Sequence, residues 1–273
     1  MVDELVVVRA GTGTVRQYLD IADHLVDCWG TEMDPGRRPL GTTVDDLDDA
    51  ISILGLATHT YSLAPVAVEL LRRKSGWAVT PIVRLMFECG ITAQWVRHVP
   101  DSHVAFVNEA ARQKTNFAKA VAATLLDIAG DAASAAMKTY PEAYTSSSGG
   151  ARSFERRCRD LQPGGREYYA VYRLLCTVSH ASPGLVEQYF LANESGPGRV
   201  PTFNPRPEPE TLLLLAHLAA SSLVWAGRAA GMVVKRDRLR SEFRQAAREL
   251  GIESELRLSD DAWLRTRPPK GHG

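Results

Sequence analysis

Arg173 and His180 stand seven positions apart in the stretch YRLLCTVSHASPG, residues 172–184, where Pro183 and Gly184 close an apolar run. An imidazole can transfer a proton near neutral pH, and His180 near a helix C-terminus suits an acid or a phosphate contact, or equally a structural ion pair with Glu88. On a helix wheel with Tyr169 at zero, Arg173 falls at about 40°, Cys176 at about −20° and His180 at about 20°. Val171, Leu174, Leu175 and Val178 fall between about 140° and 240°, so the expected core face points the other way. The Tyr169, Arg173, Cys176, His180 stripe is therefore expected to face solvent, a cleft or a partner subunit. A plain wetted helix face would have the same geometry, but such faces are usually built from Glu, Lys and Gln.

A second pair, Arg84 and Glu88, is spaced i, i+4 on a stretch that is apolar nearly all round, through Ile82, Val83, Leu85, Met86, Phe87, Ile91, Trp95 and Val96. A helix of this kind should be buried on most sides. Burying the pair costs several kcal/mol per ion unless further hydrogen bonds satisfy it, so the pair calls for a third partner. Arg173 and His180 are the expected partners. A self-contained salt bridge that fixes helix packing is the alternative.

Other chemistries find less support in the sequence. No Glu-x-x-His tetrad of a diiron bundle is present, although Glu69, Glu88, His59, His180 and His217 could still converge on a metal. Cys176 and His180 are i, i+4 neighbours and permit a thiolate–imidazole pair, whereas adjacent Ser179 and His180 point about 100° apart and form no dyad. GTGT at residues 11–14 lacks both the third glycine of a dinucleotide fingerprint and the Gly-Lys-Ser/Thr of a P-loop, and reads as a turn. No cofactor is expected, and no metal is assigned.

The segment RLMFE, taken with Y-x-x-x-Y-R-L-L-x-x-V-S-H, resembles the paired motifs of an uncharacterised bacterial all-helical family over residues 45 to 190. Arg173 and His180, with six residues between them, are also similar to the Arg-x(4 to 6)-His motif of the HEPN superfamily. Many HEPN members are metal-independent ribonucleases of toxin and defence systems, with a site shared across a dimer. This resemblance implies His180 as general base or acid on an RNA 2′-hydroxyl or leaving oxygen, and Arg173 on the phosphate. Arg84, Glu88 and Tyr169 would support them. It also implies RNA as a partner and a homodimer as the assembly. The competing readings are a non-catalytic interaction or dimerisation module with a buried Arg/Glu/His network, and a small-molecule or metal-dependent helical enzyme.

The elements that must hold these residues are helical almost throughout, so the fold is expected to be all-α, a bundle of about eight helices with a HEPN-like core. Core helices are expected at 44–74, 81–98, 101–129, 165–182 and 211–234, with a first helix at 14–29 ended by GTEMDPGRRPLG. Thr43 should cap the second helix, whose start carries Asp45, Asp46, Asp48 and Asp49 and which should kink at Pro65. Thr80 should cap the third, and Asp101 or Ser102 the fourth. An Ala-rich helix should run to about Tyr140, and ELVVV near the start is the one strand suggested. TSSSGGARS reads as a flexible linker between an N-terminal helical region, 1–145, and a C-terminal one, 151–273, that packs on it as a single unit. Gly251 should cap a basic amphipathic tail helix.

Composition sets outer limits. The 273 residues carry 32 Lys/Arg and 32 Asp/Glu, enough chain for one large domain or two small ones. The charge is uneven: 13 Lys/Arg against 18 Asp/Glu up to residue 150, and 19 against 14 beyond it. The C-terminal half could meet an anionic partner, but the excess is far below that of a committed nucleic-acid binder. Cys28, Cys89, Cys158 and Cys176 form no C-x-x-C pair, which argues against a zinc ribbon or disulfide scaffold and for reduced thiols in a cytoplasm. The N-terminus lacks a basic signal-type region. Residues 211–234 are membrane-like in composition, but His217 and Arg228 interrupt them, so a buried core helix and no membrane partner are expected.

Overall fold

A computed structural model describes residues 13–33, 42, 47–124, 145–191 and 201–266. The ELVVV segment, Thr43, Asp45 and Asp46, the Ala-rich stretch towards Tyr140 and much of the proline-rich segment after Leu191 lie outside them. Within the described residues the helical periodicity becomes helix, and the architecture is an all-α bundle with two very short strand pairs.

α1 (Val15–Met33) opens with a reciprocal cap. Thr14 Oγ1 accepts from Gln17 N at 3.3 Å, and Gln17 Oε1 accepts from Thr14 N at 2.7 Å. It runs past Gly30, the end suggested by the sequence, because Trp29 is anchored in the core, stacked on Tyr61 at 4.1 Å. α2 (Leu47–Arg72) continues unbroken through Pro65, which stands on an exposed position of the helix. A 3₁₀ turn (Gly76–Val79) leads into α3 (Thr80–His98), where Val79 rather than Thr80 is the N-cap and Pro81 occupies the tolerated first turn. α4 (Ser102–Thr124) follows Asp101.

The segment expected to be a flexible linker is packed structure. Residues 148–152 form α5 (Ser148–Arg152), Ser147 Oγ donates to Pro100 O at 2.6 Å, and a Cβ on Gly150 would lie 2.6 Å from the Trp95 ring. Glycine stands there because the tryptophan takes the space of a side chain. α6 (Phe154–Arg159) is capped by Ser153, and β1 (Leu161–Gln162) then pairs antiparallel with β4 (Arg257–Leu258). α7 (Gly165–Ser179) starts after Gly164, whose φ of 97° lies in the left-handed region that glycine enters freely. α8 (Pro183–Glu187), β2 (Phe190–Leu191) and β3 (Thr202–Phe203) follow, the two strands pairing with each other. α9 (Leu212–Gly231), α10 (Arg240–Leu250) and α11 (Asp260–Thr266) are the remaining helices among the described residues, and Gly251 caps α10 at φ 69° as expected.

α9 is the central post. It packs on α3, α2, α1 and α10, and sixteen of its residues, Leu215 to Ala230, are buried. Both α2 and α9 are long and apolar enough to cross a membrane by composition, but 83% of the scored stretch of α9 is buried in the bundle. The core cluster draws on both sides of residue 145, joining Phe87 and Trp95 to Phe154, Val171, Leu223 and Phe243. Polar side chains fasten the C-terminal segment to this core. Gln94 Nε2 donates to Trp225 O at 2.7 Å, while Gln94 Oε1 accepts from Leu256 N at 3.1 Å. Arg228, 2% exposed, pairs with Asp237 at 2.5 Å and with Glu255.

Candidate functional site

The motif-bearing helices meet: α7 packs against α3 on one side and α6 on the other. α3 is pinned to α9 by a close approach at Gly90, where a Cβ would sit 3.0 Å from the Ser222 carbonyl. Along α3, Val83, Met86, Phe87, Ile91 and Trp95 are buried, while Arg84 and Glu88 are half-buried. On α7, Val171, Leu175 and Val178 are buried, and Tyr168 and Tyr172 are half-buried. The core face is therefore turned towards the tyrosines relative to the expected arc. Leu174, expected inside, is 40% exposed.

Arg84 reaches across to α7. Its Nη1 donates to His180 Nε2 at 2.7 Å and lies 3.6 Å from Cys176 Sγ, and the guanidinium carbon stands 5.7 Å from the Tyr172 ring centroid. Because arginine can only donate, this contact uses the unprotonated lone pair of His180 Nε2 and leaves the ring proton on Nδ1. His180 does not continue the helix. It is the C-cap, with extended backbone at φ −118° and ψ 159°, and it remains exposed. The other guanidinium nitrogen facing the protein, Arg84 Nε, is buried with no acceptor. A buried N–H without a partner is uncommon and costly, so Arg84 holds an imidazole but lacks the oxygen acceptors a guanidinium prefers.

Two expected meetings do not occur. Arg84 and Glu88 form no ion pair or hydrogen bond with each other among the described residues; Arg84 turns to α7 instead. Arg173 does not join His180 or Arg84 either. The two residues are about two helical turns apart, roughly 10 Å along the axis, and Arg173 stands exposed, hydrogen-bonded to Tyr169, which raises it above the usual arginine range. The arginine at the histidine is thus Arg84. Cys176, on the predicted stripe, lies at the pair.

Tyr172 and Arg157 complete the surroundings and escape a reading by residue type. Burial, then the Glu88 charge and a hydrogen bond with Cys176, push the Tyr172 hydroxyl up to about 12, so it stays a neutral donor at neutral pH. Tyr172 lies within the quoted motif, and its wheel position of about −60°, beside Cys176, was the signal that could have found it. Arg157 of α6 donates to Gly150 O, Thr92 Oγ1 and Ala151 O at 3.0, 3.0 and 2.6 Å, with its guanidinium over Trp95 and Phe106. Burial lowers it, while nearby Glu88 offsets part of that effect. Glu88 therefore supplies negative potential between Tyr172 and Arg157 rather than a bond to Arg84.

The dispersed histidines and acids do not form a metal centre here. His59 is exposed on α2, Glu69 pairs with Arg73 at 2.5 Å, and buried His217 donates through Nε2 to Leu250 O at 2.9 Å. Among the described residues, none of them joins Glu88 or His180 in a set of three ligand donors. What the α3–α7 site offers is an exposed imidazole, a guanidinium with an unsatisfied donor, a neighbouring thiol and a neutral phenol.

No curated protein and no solved structure matches the chain. Residues 50–197, which run from within α2 past β2 and so contain both motif helices, match the model of a family of unknown function, DUF5677, and the chain belongs to that family.

Proposed function

We propose that the protein is a metal-independent, RNA-cleaving enzyme of HEPN-like type acting within the cell, with Arg84 and His180 as its reacting pair. The observation that carries this reading is the Arg84–His180 contact at 2.7 Å on an exposed surface, with Arg84 Nε left without an acceptor. A phosphate oxygen would satisfy that donor, and a bidentate guanidinium–phosphate contact is among the stronger charge-assisted pairs. Once Arg84 turns to phosphate, His180 Nε2 is released to take the proton of the attacking 2′-hydroxyl, and the protonated ring can return a proton to the departing 5′-oxygen. The Tyr172 hydroxyl, kept protonated, can donate to the same phosphate. Exposed Arg173 serves a flanking phosphate.

Exposed Leu85 of α3, Leu174 of α7, Val186 of α8 and Phe190, Leu191 and Phe203 of the β2–β3 pair favour a homodimer formed by the site-bearing elements. This accords with a site shared between two copies.

Single-turnover cleavage of a single-stranded RNA tests the reading. His180→Ala and Arg84→Ala should each lower the rate by about a hundredfold or more. Arg173→Ala should mainly weaken binding and reduce the slope of log K against log salt by roughly 0.7, one phosphate contact on a single strand. Wild-type rates in folded His180→Ala and Arg84→Ala proteins would refute the assignment.

A further inference from the structure

α1 and α10, which pack on α9 and on each other, bring a second set of reactive side chains together. His24 and Cys28 are spaced i, i+4 on α1, so they share a face. Glu242, in the first turn of α10, reaches the same point from 218 positions along the chain. His24 Nε2 lies 2.9 Å from Glu242 Oε2 and 3.6 Å from Cys28 Sγ, and the three donor atoms all lie within 4.8 Å of one another. We propose that His24, Cys28 and Glu242 form a zinc-type metal site that clamps α1 to α10.

The donor set fits a borderline-soft cation: imidazole nitrogen, thiolate sulfur and carboxylate oxygen are the three ligand types that Zn²⁺ takes in proteins. Zinc bonds of about 2.0–2.3 Å in tetrahedral array place ligand atoms roughly 3.3–3.6 Å apart, and the observed separations straddle that range. Cys28 Sγ is 4.0 Å from His24 Nδ1 as well, so the sulfur sits over the ring edge. A turn of the His24 ring, whose side chain is 57% exposed, brings the Nε2 lone pair onto a shared ion. The charge is also suitable. Besides burial, Glu242 and Asp27 disfavour the Cys28 thiolate, and a bound cation neutralises those same carboxylates while the thiol proton passes to solvent.

Three protein ligands leave a fourth position. His24 and Glu242 line a groove of about 680 Å³ together with Gln17, Tyr18, Asp20, Gln245 and Glu249, and a water or small oxygen-donor ligand entering from it would complete the ion's coordination. The site lies on helices separate from α3 and α7 and stands independently of the proposed RNA chemistry.

Cobalt(II) titration of the metal-stripped full chain reads the site directly. One equivalent of Co²⁺ should produce a thiolate-to-cobalt charge-transfer band in the near ultraviolet together with intense visible bands of tetrahedral geometry, and Zn²⁺ should abolish both by displacement. The charge-transfer band should vanish in Cys28→Ser, and affinity should fall in His24→Ala and Glu242→Gln. Zn²⁺ should raise the Tm of the wild type but not of His24→Ala. His24 is exposed and Cys28 and Glu242 are only half-buried, so circular dichroism should show each variant folded. Absence of the band at stoichiometric Co²⁺, its survival in Cys28→Ser, or unchanged affinity in His24→Ala would overturn the proposal.

Discussion

At the scale of single residues, the α3–α7 site holds a half-buried arginine with no oxygen acceptor among the described residues. Two other guanidiniums find oxygen acceptors: Arg228 pairs through its Nη atoms with Asp237 and Glu255, although its Nε too lacks a partner, and Arg157 donates to two carbonyls and a hydroxyl. Arg84 receives only an imidazole nitrogen and a distant sulfur. Its planar fork should matter as much as its charge, so Arg84→Lys should recover little of the cleavage lost in Arg84→Ala; full recovery would mean that charge alone suffices. His98 supplies a separate test of the fold. Burial, reinforced by Arg97, pushes it down to about 4, with Glu255 opposing and Arg228 adding to the shift. A histidine lowered in the folded state leaves the unfolded chain binding more protons, so stability is full above the unfolded value near 6.5 and declines as pH falls towards about 4. That decline should be on the order of 2 kcal/mol in denaturant titrations between those pH values, and His98→Gln should remove it. Of these residue-level features, the Arg84–His180 meeting was legible from a charged pair on a helix apolar nearly all round and a polar stripe on a second, amphipathic helix. The displacement of Arg173 was not, because sharing a stripe says nothing of the two turns between residues, and the neighbouring helix meets only one end of the stripe.

At the scale of elements, periodicity located the helices well because each buries a continuous apolar face; the errors fall where tertiary contacts override local composition. α1 passes Gly30 because Trp29 stacks on Tyr61, and a Ser/Gly-rich stretch that reads as linker forms α5 because Trp95 needs a partner without a side chain at Gly150. Neither partner is near in sequence, so neither could be read from it. The α3–α9 contact that presents Arg84 depends on a similar absence of bulk. Gly90→Val should cost about 1–3 kcal/mol by overpacking, because the obstacle is the Ser222 backbone carbonyl at 3.0 Å rather than a side chain that can swing away. Chemical denaturation measures this cost, and an unchanged midpoint would show that α3 can shift freely on α9. The same substitution should also reduce RNA cleavage, since it moves the helix that carries Arg84.

At the scale of the whole molecule, the bundle is closed by its own C-terminal segment. Gln94, Trp225, Arg228 and Asp160 hold residues 253 to 265 across α3, α6 and α9, with Arg265 pairing to Asp160 at 2.8 Å and Trp95 Nε1 donating to the same carboxylate at 3.1 Å. Removing one partner of a buried ion pair is far more damaging than replacing the set with apolar groups, so Asp237→Ala combined with Glu255→Ala should cost about 3–5 kcal/mol, and Arg228→Met in the same background should recover part of it. Thermal unfolding separates the two cases, and equal loss in both would contradict the pairing. This closure keeps α3 and α7 in the relation on which the central claim depends, that Arg84 and His180 act as one unit. A double-mutant cycle on single-turnover RNA cleavage tests that claim most directly. If the pair acts together, the Arg84→Ala/His180→Ala double variant should be no slower than the slower single variant, with each single loss at about a hundredfold or more. Losses that multiply, or a folded double variant that cleaves as fast as the wild type, would contradict it.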